Sequence, residues 1–280
     1  MAATQNNESL ADFRGRLVLV GAGKMGSAML EGWLGRGLKP ASVAVIEPQP
    51  SSELTKLAAS GVSMNPAVGD VGEVSAVVLA VKPQTAQQVV SGLRPLIGAG
   101  TVLVSIMAGR TIAFLARELG KDAAIVRAMP NTPAAIGRGI TVAVGNARVG
   151  AAQRALAAGL LAAIGKVEWV DDEGLMDAVT AVSGSGPAYV FLLAEALAQA
   201  GVAAGLPPTL AATLARETVS GSGELLHRSP LPPATLRQNV TSPGGTTAAA
   251  LDVLMGRDGL QAVMTAAVAA ATKRSRELAG

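Results

Sequence analysis

Residues 17–26 read LVLVGAGKMG: four aliphatic residues run directly into Gly21, Ala22, Gly23, Lys24, Met25 and Gly26. The apolar run suits a strand buried on both faces. The residues that follow have helical character, so the glycine pattern sits where a strand turns into a helix. In that setting the glycines have separate reasons. Gly21 permits a tight turn, Gly23 lets a pyrophosphate approach the backbone, and Gly26 lets helix and strand pack closely. The helix start then offers unpaired N–H groups to an anion. A glycine turn without ligand is the alternative.

Working outward, short apolar runs at residues 16–20, 43–46, 76–81, 102–106, 124–128 and 140–144 read as buried strands of a parallel sheet. Helical segments at 27–36, 53–59, 85–93 and 112–119 alternate with them. A further helix at 150–164 leads to an extended piece at 166–170. Such alternation predicts a doubly wound α/β sheet. From Asp171 the β-like runs stop. Asp171 and Asp172 suit a helix start with Glu173 in its first turn. Helix then continues to Ala204, with a kink expected at Ser183-Gly-Ser-Gly-Pro187. Further helices are expected at 207–226, 246–254 and 258–278. The expected partition is a flexible tail at 1–15, a dinucleotide-binding domain at 16–170 and an all-helical domain at 171–280.

Composition narrows the chemistry. The 280 residues are 50% hydrophobic and 15% charged, enough apolar material for a sizeable core. With no cysteine, thiolate nucleophiles and cysteine-ligated metals are excluded, and a single histidine, His227, excludes a multi-histidine metal site. No metal site is expected. Three Phe, two Trp and one Tyr are too few and too scattered for a base-stacking surface. The net charge of +3 is spread without a basic run, so neither nucleic acid nor an anionic membrane is an expected partner. The most membrane-like stretch, 188–204, carries Glu195 and Gln199, and a buried helix explains it better. No secretory signal is evident, which points to the cytoplasm.

Several stretches fall where such sheets bind ligands, at the carboxyl ends of strands. Glu47 ends the second strand, 21 residues after Gly26. An acid there can hydrogen-bond both ribose hydroxyls of NAD and repel the 2′-phosphate of NADP; a solvated loop acid is the alternative. Ala80-Val81-Lys82-Pro83 and Ser105-Ile106-Met107-Ala108-Gly109 end two further strands. Lys82 reads as a positioned loop residue rather than a catalytic lysine. The prolines of Met129-Pro-Asn-Thr-Pro133 make a rigid turn. The glycines at 183–187 imply close helix packing or a ligand. Asn239-Val-Thr-Ser-Pro-Gly-Gly-Thr-Thr247 is a loop entering a helix. Its hydroxyls and helix-start N–H groups suit a small carboxylate, or serve merely as a cap. His227, in Leu225-Leu-His-Arg228, reads as structural.

Taken together these motifs resemble the pyrroline-5-carboxylate reductase family. Its hallmark is NVTSPGGTTAAALDVL at 239–254, and AVKP at 80–83, AGR at 108–110, MPNTP at 129–133 and SGSGPAY at 183–189 follow in the same order. The resemblance implies a Rossmann domain, a helical dimerisation domain, and reduction of L-1-pyrroline-5-carboxylate to L-proline by NADPH or NADH. By position, Gly21, Ala22, Gly23, Lys24, Met25 and Gly26 resemble the pyrophosphate loop. Ala80, Val81, Lys82 and Pro83, with Ile106, Met107 and Ala108, resemble cofactor-lining loops, and Asn239 a residue near the nicotinamide half. Val240, Ser242, Gly245, Thr246 and Thr247 resemble the substrate loop, and Glu173 an acid near the bound ring. The backbone around Gly245–Thr247 and the Ser242 hydroxyl are expected to hold the substrate carboxylate, and the Thr247 hydroxyl the ring nitrogen.

One departure matters. Many family members have a small hydroxylic residue where this chain has Glu47, with a basic residue nearby. Here Pro48-Gln-Pro-Ser-Ser52 offers no positive charge, so NADH is favoured. Two other readings stay open. A β-hydroxyacid-type dehydrogenase would need a lysine on a helix of the second domain, but Lys273 is the only lysine after Lys166. A non-catalytic NAD(P) sensor would have no need of the substrate loop. Finally, about 110 helical residues rich in Ala, Gly, Leu and Val cannot bury that much apolar surface alone. A homodimer is therefore expected, open to further assembly into rings.

Overall fold

The computed structural model describes residues 9–279. Residues 1–8, most of the expected tail, lie outside the described residues. Of the rest of it, Leu10 is buried and its N–H donates to the Arg36 carbonyl at 2.9 Å. The chain divides into two compact units, one holding 9–184 and 272–279, the other 185–271.

In chain order the first unit contains β1 (Leu17–Val20), α1 (Lys24–Gly35), β2 (Val43–Ile46), α2 (Ser52–Ala58), β3 (Ser63–Met64), β4 (Ala76–Leu79), α3 (Ala86–Val90), β5 (Val102–Ser105), α4 (Ile112–Leu119), β6 (Ala124–Met129), β7 (Gly139–Gly145), α5 (Ala151–Ala162), β8 (Gly165–Trp169) and α6 (Met176–Val179). The eight strands form one sheet in the order β3-β2-β1-β4-β5-β6-β7-β8. The chain winds outward from β1 through β2 and β3, then returns to place β4 on the other side of β1. The strand order therefore reverses between β1 and β4, where doubly wound sheets open a ligand crevice.

Alternate residues of the strands feed two cores. Leu17, Leu19, Val43, Val78 and Val104 face α1 and α5. Val18, Val20, Val77, Leu79 and Leu103 face α3 and α4. Both faces are covered, which is why β1, β2 and β4 are apolar at every position and β5 at all but its last, Ser105. Trp33 on α1 is fully buried, and its indole N–H donates to the Leu160 carbonyl of α5 at 2.8 Å.

The expectation of a wholly parallel sheet is corrected at one seam: β7 runs antiparallel to β6. Only residues 130–138 join the two strands, a link that includes the 3-10 turn Thr132–Ile136. A parallel neighbour would need a crossover of about a dozen residues or more. The turn is structural: Asn131 Oδ1 accepts from the Ile140 N–H at 3.0 Å. The two-residue β3 escaped the sequence reading, and α1 begins at Lys24, three residues before its expected start.

The sheet ends at Trp169, whereas the units divide between Gly184 and Ser185. Between these points Asp172 Oδ1 caps a 3-10 turn by accepting from the Gly174 N–H at 2.8 Å. The expected kink is a π-helical turn, Thr180–Gly184. The Thr180 and Ser183 hydroxyls there donate to the carbonyls four residues back.

The second unit contains α7 (Gly186–Ala203), α8 (Pro208–Arg228), α9 (Pro233–Asn239), α10 (Thr246–Leu254) and the first three turns of α11 (Leu260–Ala279). α7 and α8 form a hairpin turned at Gly205, whose φ of +99° favours glycine. No helix was read from the sequence at α9, whose last residue, Asn239, was expected in a loop; its prolines stand at its start, where a missing N–H costs nothing. Within one chain the buried-helix reading of 188–204 is not met: α7 contains no buried residue, and Phe191 is 68% exposed. By length and composition the run Glu173–Ala203 is long and apolar enough to cross a membrane. Among the described residues of this unit only Ala211 and Ala215 are buried, so within one chain it has almost no core.

The last turns of α11 belong to the first unit. Ser275 Oγ donates to Asp177 Oδ1 at 2.7 Å. Gly109, at φ +67°, leaves room for the Leu278 carbonyl, which a Cβ would meet at 3.2 Å.

Candidate active site

At the carboxyl ends of β1, β2, β4 and β5 the loops interlock through the backbone. The Gly21 N–H donates to the Ile46 carbonyl at 2.9 Å, the Ala80 N–H to Val20 at 2.8 Å, and the Ile106 N–H to Leu79 at 3.0 Å. Gly21 has φ +88°, and a Cβ on it would lie 2.8 Å from the Ala80 carbonyl oxygen. A Cβ on Gly26 would collide with the Gly21 carbonyl. At Gly23 a Cβ would meet nothing within 4 Å, so the backbone there is open on its outer side. The tight turn at Gly21 and the close approach at Gly26 are those read from the sequence, and Gly23 is left with an open backbone.

Gly23 is the N-cap of α1, no side chain caps that helix, and no acid lies in its first turn. Lys24 and Met25 open the helix, and Ser27 closes the loop by donating to the Ala22 carbonyl at 2.8 Å. Exposed, uncapped N–H groups beside a bare glycine backbone fit a dinucleotide pyrophosphate.

Glu47 stands immediately after β2 and reaches back to this loop. Its Oε2 accepts from the Ala22 N–H at 2.9 Å and its Oε1 from the Gln49 N–H at 3.0 Å. In the first turn of α2, Glu53 has its carboxyl held below the usual range by its own backbone N–H and by the Ser52 and Ser51 hydroxyls. The stretch 47–53 therefore carries two carboxylates and no cation.

Lys82 and Pro83 begin a 3-10 turn after β4. The Arg110 guanidinium clasps the Pro83 carbonyl through Nε at 3.2 Å and Nη2 at 2.9 Å, while stacking on Phe114 at 5.0 Å. It ties the Ala80–Pro83 loop to the one carrying Ile106, Met107 and Ala108. Sequence reading had quoted Arg110 without a role. Glu173 Oε1 accepts from Arg127 Nη1 and from the Ile112 N–H, both at 2.8 Å.

The second unit carries the other group. Asn239 ends α9, Val240 is exposed, and the chain turns at Gly244 (φ +68°) into α10. The Gly245 N–H donates to the Ser242 carbonyl at 3.0 Å. Gly245 is the N-cap of α10, no side chain caps it, and its first turn holds no acid. Thr246 and Thr247 occupy that first turn. The capping alternative for Thr247 therefore finds no support.

A nucleotide-shaped glycine loop at a strand-order reversal, with an acid after the second strand, defines a nicotinamide-dinucleotide oxidoreductase with a Rossmann-type sheet. Residues 16–109 match the model of the family described as NADP oxidoreductase, coenzyme F420-dependent, and residues 173–278 match that of pyrroline-5-carboxylate reductase dimerisation. The chain is 40% identical over 267 residues to a pyrroline-5-carboxylate reductase of Pseudomonas aeruginosa, covering 94% of this chain and 97% of the relative. A solved pyrroline-5-carboxylate reductase from Coxiella burnetii superposes with TM-score 0.88 at 33% identity, covering 95% of this chain and 99% of that one. The Plasmodium falciparum pyrroline carboxylate reductase, solved with NADP bound, gives 0.79 at 30% identity over the same shares. The chain belongs to the pyrroline-5-carboxylate reductase family.

Proposed function

We propose that this chain reduces L-1-pyrroline-5-carboxylate to L-proline with NAD(P)H, as a cytoplasmic homodimer. The reading is carried by similarity to pyrroline-5-carboxylate reductases that runs through both units, over 94% of the chain.

The substrate is a cyclic imine bearing a carboxylate, and the reduced nicotinamide supplies the hydride when bound. A protonated imine is already electrophilic, so the protein's task is to orient rather than to activate. The N–H groups of Thr246 and Thr247, next to the Gly245 N-cap whose own N–H is taken by the Ser242 carbonyl, and the Ser242 hydroxyl hold the carboxylate, and Val240 lines the same loop. The Thr247 hydroxyl both donates and accepts, so it follows the ring nitrogen from imine to amine. By the family resemblance Glu173 is assigned to the ring and Asn239 to the nicotinamide half. The Gly21–Gly26 loop takes the pyrophosphate, and the loops Ala80–Pro83 and Ile106–Ala108 line the cofactor.

Glu47 sets the choice of cofactor toward NADH. A carboxylate has about four acceptor positions. Two are taken by Ala22 and Gln49, which leaves two for ribose hydroxyls. The near absence of a core in residues 185–271 supports a second copy as the cover of α7, and rings would be built from such dimers.

The test is loss of reduced-nicotinamide absorbance when pyrroline-5-carboxylate is added to the protein with NADH or NADPH, and proline as product. No oxidation with either cofactor would overturn the reading.

A further inference from the structure

We propose that Asn65 is a positioning residue that aims the Glu47 carboxylate and thereby sustains the preference for NADH. The inference rests on the reading of Glu47 as the ribose-facing acid. Among the described residues Asn65 is the one non-glycine with positive φ, at +47°. A single residue in the left-handed region costs little for asparagine, and such a conformation is a reason to ask what it achieves.

Here it completes a strand that is too short. β3 pairs Ser63 and Met64 with Ala44 and Val45, and the Asn65 N–H adds one more bond, to the Val45 carbonyl at 2.7 Å. The backbone then turns away before reaching Glu47. In place of a backbone partner, the Asn65 side-chain amide takes both main-chain groups of Glu47. Oδ1 accepts from the Glu47 N–H at 2.8 Å, and Nδ2 donates to the Glu47 carbonyl at 2.9 Å. An amide has the donor and acceptor of a peptide group, so one side chain stands in for one missing strand residue.

The consequence falls on the carboxylate. Glu47 lies just past the last paired residue of β2, where a chain would otherwise be free to swing. With its N–H and C=O both held, its side chain reaches Ala22 and Gln49 from a fixed origin. Misplacing a binding group by about 1 Å is enough to lose most of its effect.

The test compares Asn65→Gly, which keeps the left-handed backbone and deletes the amide, with Asn65→Asp, which keeps the acceptor and loses the donor. Each is made with Glu47 intact and in a Glu47→Ala background. NADH and NADPH binding are measured by fluorescence titration, alongside KM, kcat and the thermal midpoint.

Asn65→Gly is expected to weaken NADH binding about fivefold to tenfold while NADPH changes by less than about twofold, with the loss in KM rather than kcat. Asn65→Asp falls between. In the Glu47→Ala background the NADH:NADPH ratio does not respond to position 65. If Glu47→Ala shifts the ratio and Asn65→Gly does not, or if Asn65→Gly weakens both cofactors equally, the proposal is overturned. If Glu47→Ala leaves the ratio unchanged, the proposal falls together with the Glu47 reading. Because the titrations need no imine, a protein that binds as expected but does not turn over pyrroline-5-carboxylate overturns the substrate reading and leaves this one standing.

Discussion

Arg127, with its side chain 6% exposed, meets Glu173 Oε1 at 2.8 Å, and the same oxygen accepts from the Ile112 N–H. One carboxylate oxygen therefore joins β6, the first turn of α4 and the turn that follows β8. Glu173→Gln keeps the acceptor but leaves a buried guanidinium without its counter-charge. Removing one partner of a fully buried pair costs about 3–5 kcal/mol. Because the Glu173 side chain is 29% exposed, we expect a loss of roughly 2–3 kcal/mol, read from urea unfolding. A loss under about 0.5 kcal/mol would show that solvent already screens the pair.

Glu47→Ser removes the carboxylate proposed to face the 2′ position of the ribose. The ratio of kcat/KM for NADH over NADPH should fall by roughly tenfold to a hundredfold, about 1–3 kcal/mol. Should the native protein prefer NADPH, or the ratio ignore the substitution, Glu47 does not select the cofactor.

Thr247→Ala deletes a hydroxyl from the first turn of α10 without touching the cap at Gly245. We expect kcat/KM for pyrroline-5-carboxylate to drop on the order of tenfold to a hundredfold, mostly in kcat. The thermal midpoint should stay put, and Thr247→Ser should recover turnover. Unchanged turnover would leave the reaction to the loop backbone alone.

Arg110→Ala releases the Pro83 carbonyl and the stack on Phe114. The Ala80–Pro83 loop loosens, so KM for either cofactor should rise several-fold while the NADH:NADPH ratio holds. Arg110→Lys, which cannot form the two-pronged contact, should recover little of it. A shift in the ratio would place Arg110 nearer the ribose than the loops suggest.

Phe191, Leu192 and Leu193 form an exposed apolar stretch of α7. Phe191→Glu combined with Leu192→Arg should turn a dimer into a monomer by light scattering at micromolar concentration, with the helical unit losing much of its protection from hydrogen exchange. A native protein that is already monomeric and active would remove the need for a partner.

Much of this architecture was legible because it depends on residue type at a fixed period. β1, β2 and β4 are apolar at every position, and β5 at all but its last, Ser105, because both faces are covered; Gly21, Gly23 and Gly26 lie where strand, turn and helix meet. What the chain conceals depends on length and distance. The direction of β7 follows from the short link 130–138, not from its own residues. Apolar α7 announces that it must be covered but carries no sign of what covers it. Arg127 and Glu173 are 46 positions apart, and Asn65 sits alone with no periodicity around it, so their contacts become visible only once the strands are set side by side.

The route of α11 bears on the order in which the molecule assembles. Its final turns join the first unit through Asp177 and Ser275, residues 98 positions apart. The entropy lost in closing so long an excursion grows only logarithmically, about 0.6 kcal/mol per doubling, so equilibrium hardly registers it. Kinetics does, since pairings between distant residues form late. The nucleotide-binding sheet is built from neighbouring crossovers and can condense early, yet its closing piece arrives only after the intervening helices have brought the chain back. Docking of the α11 end should therefore trail the burial of Trp33.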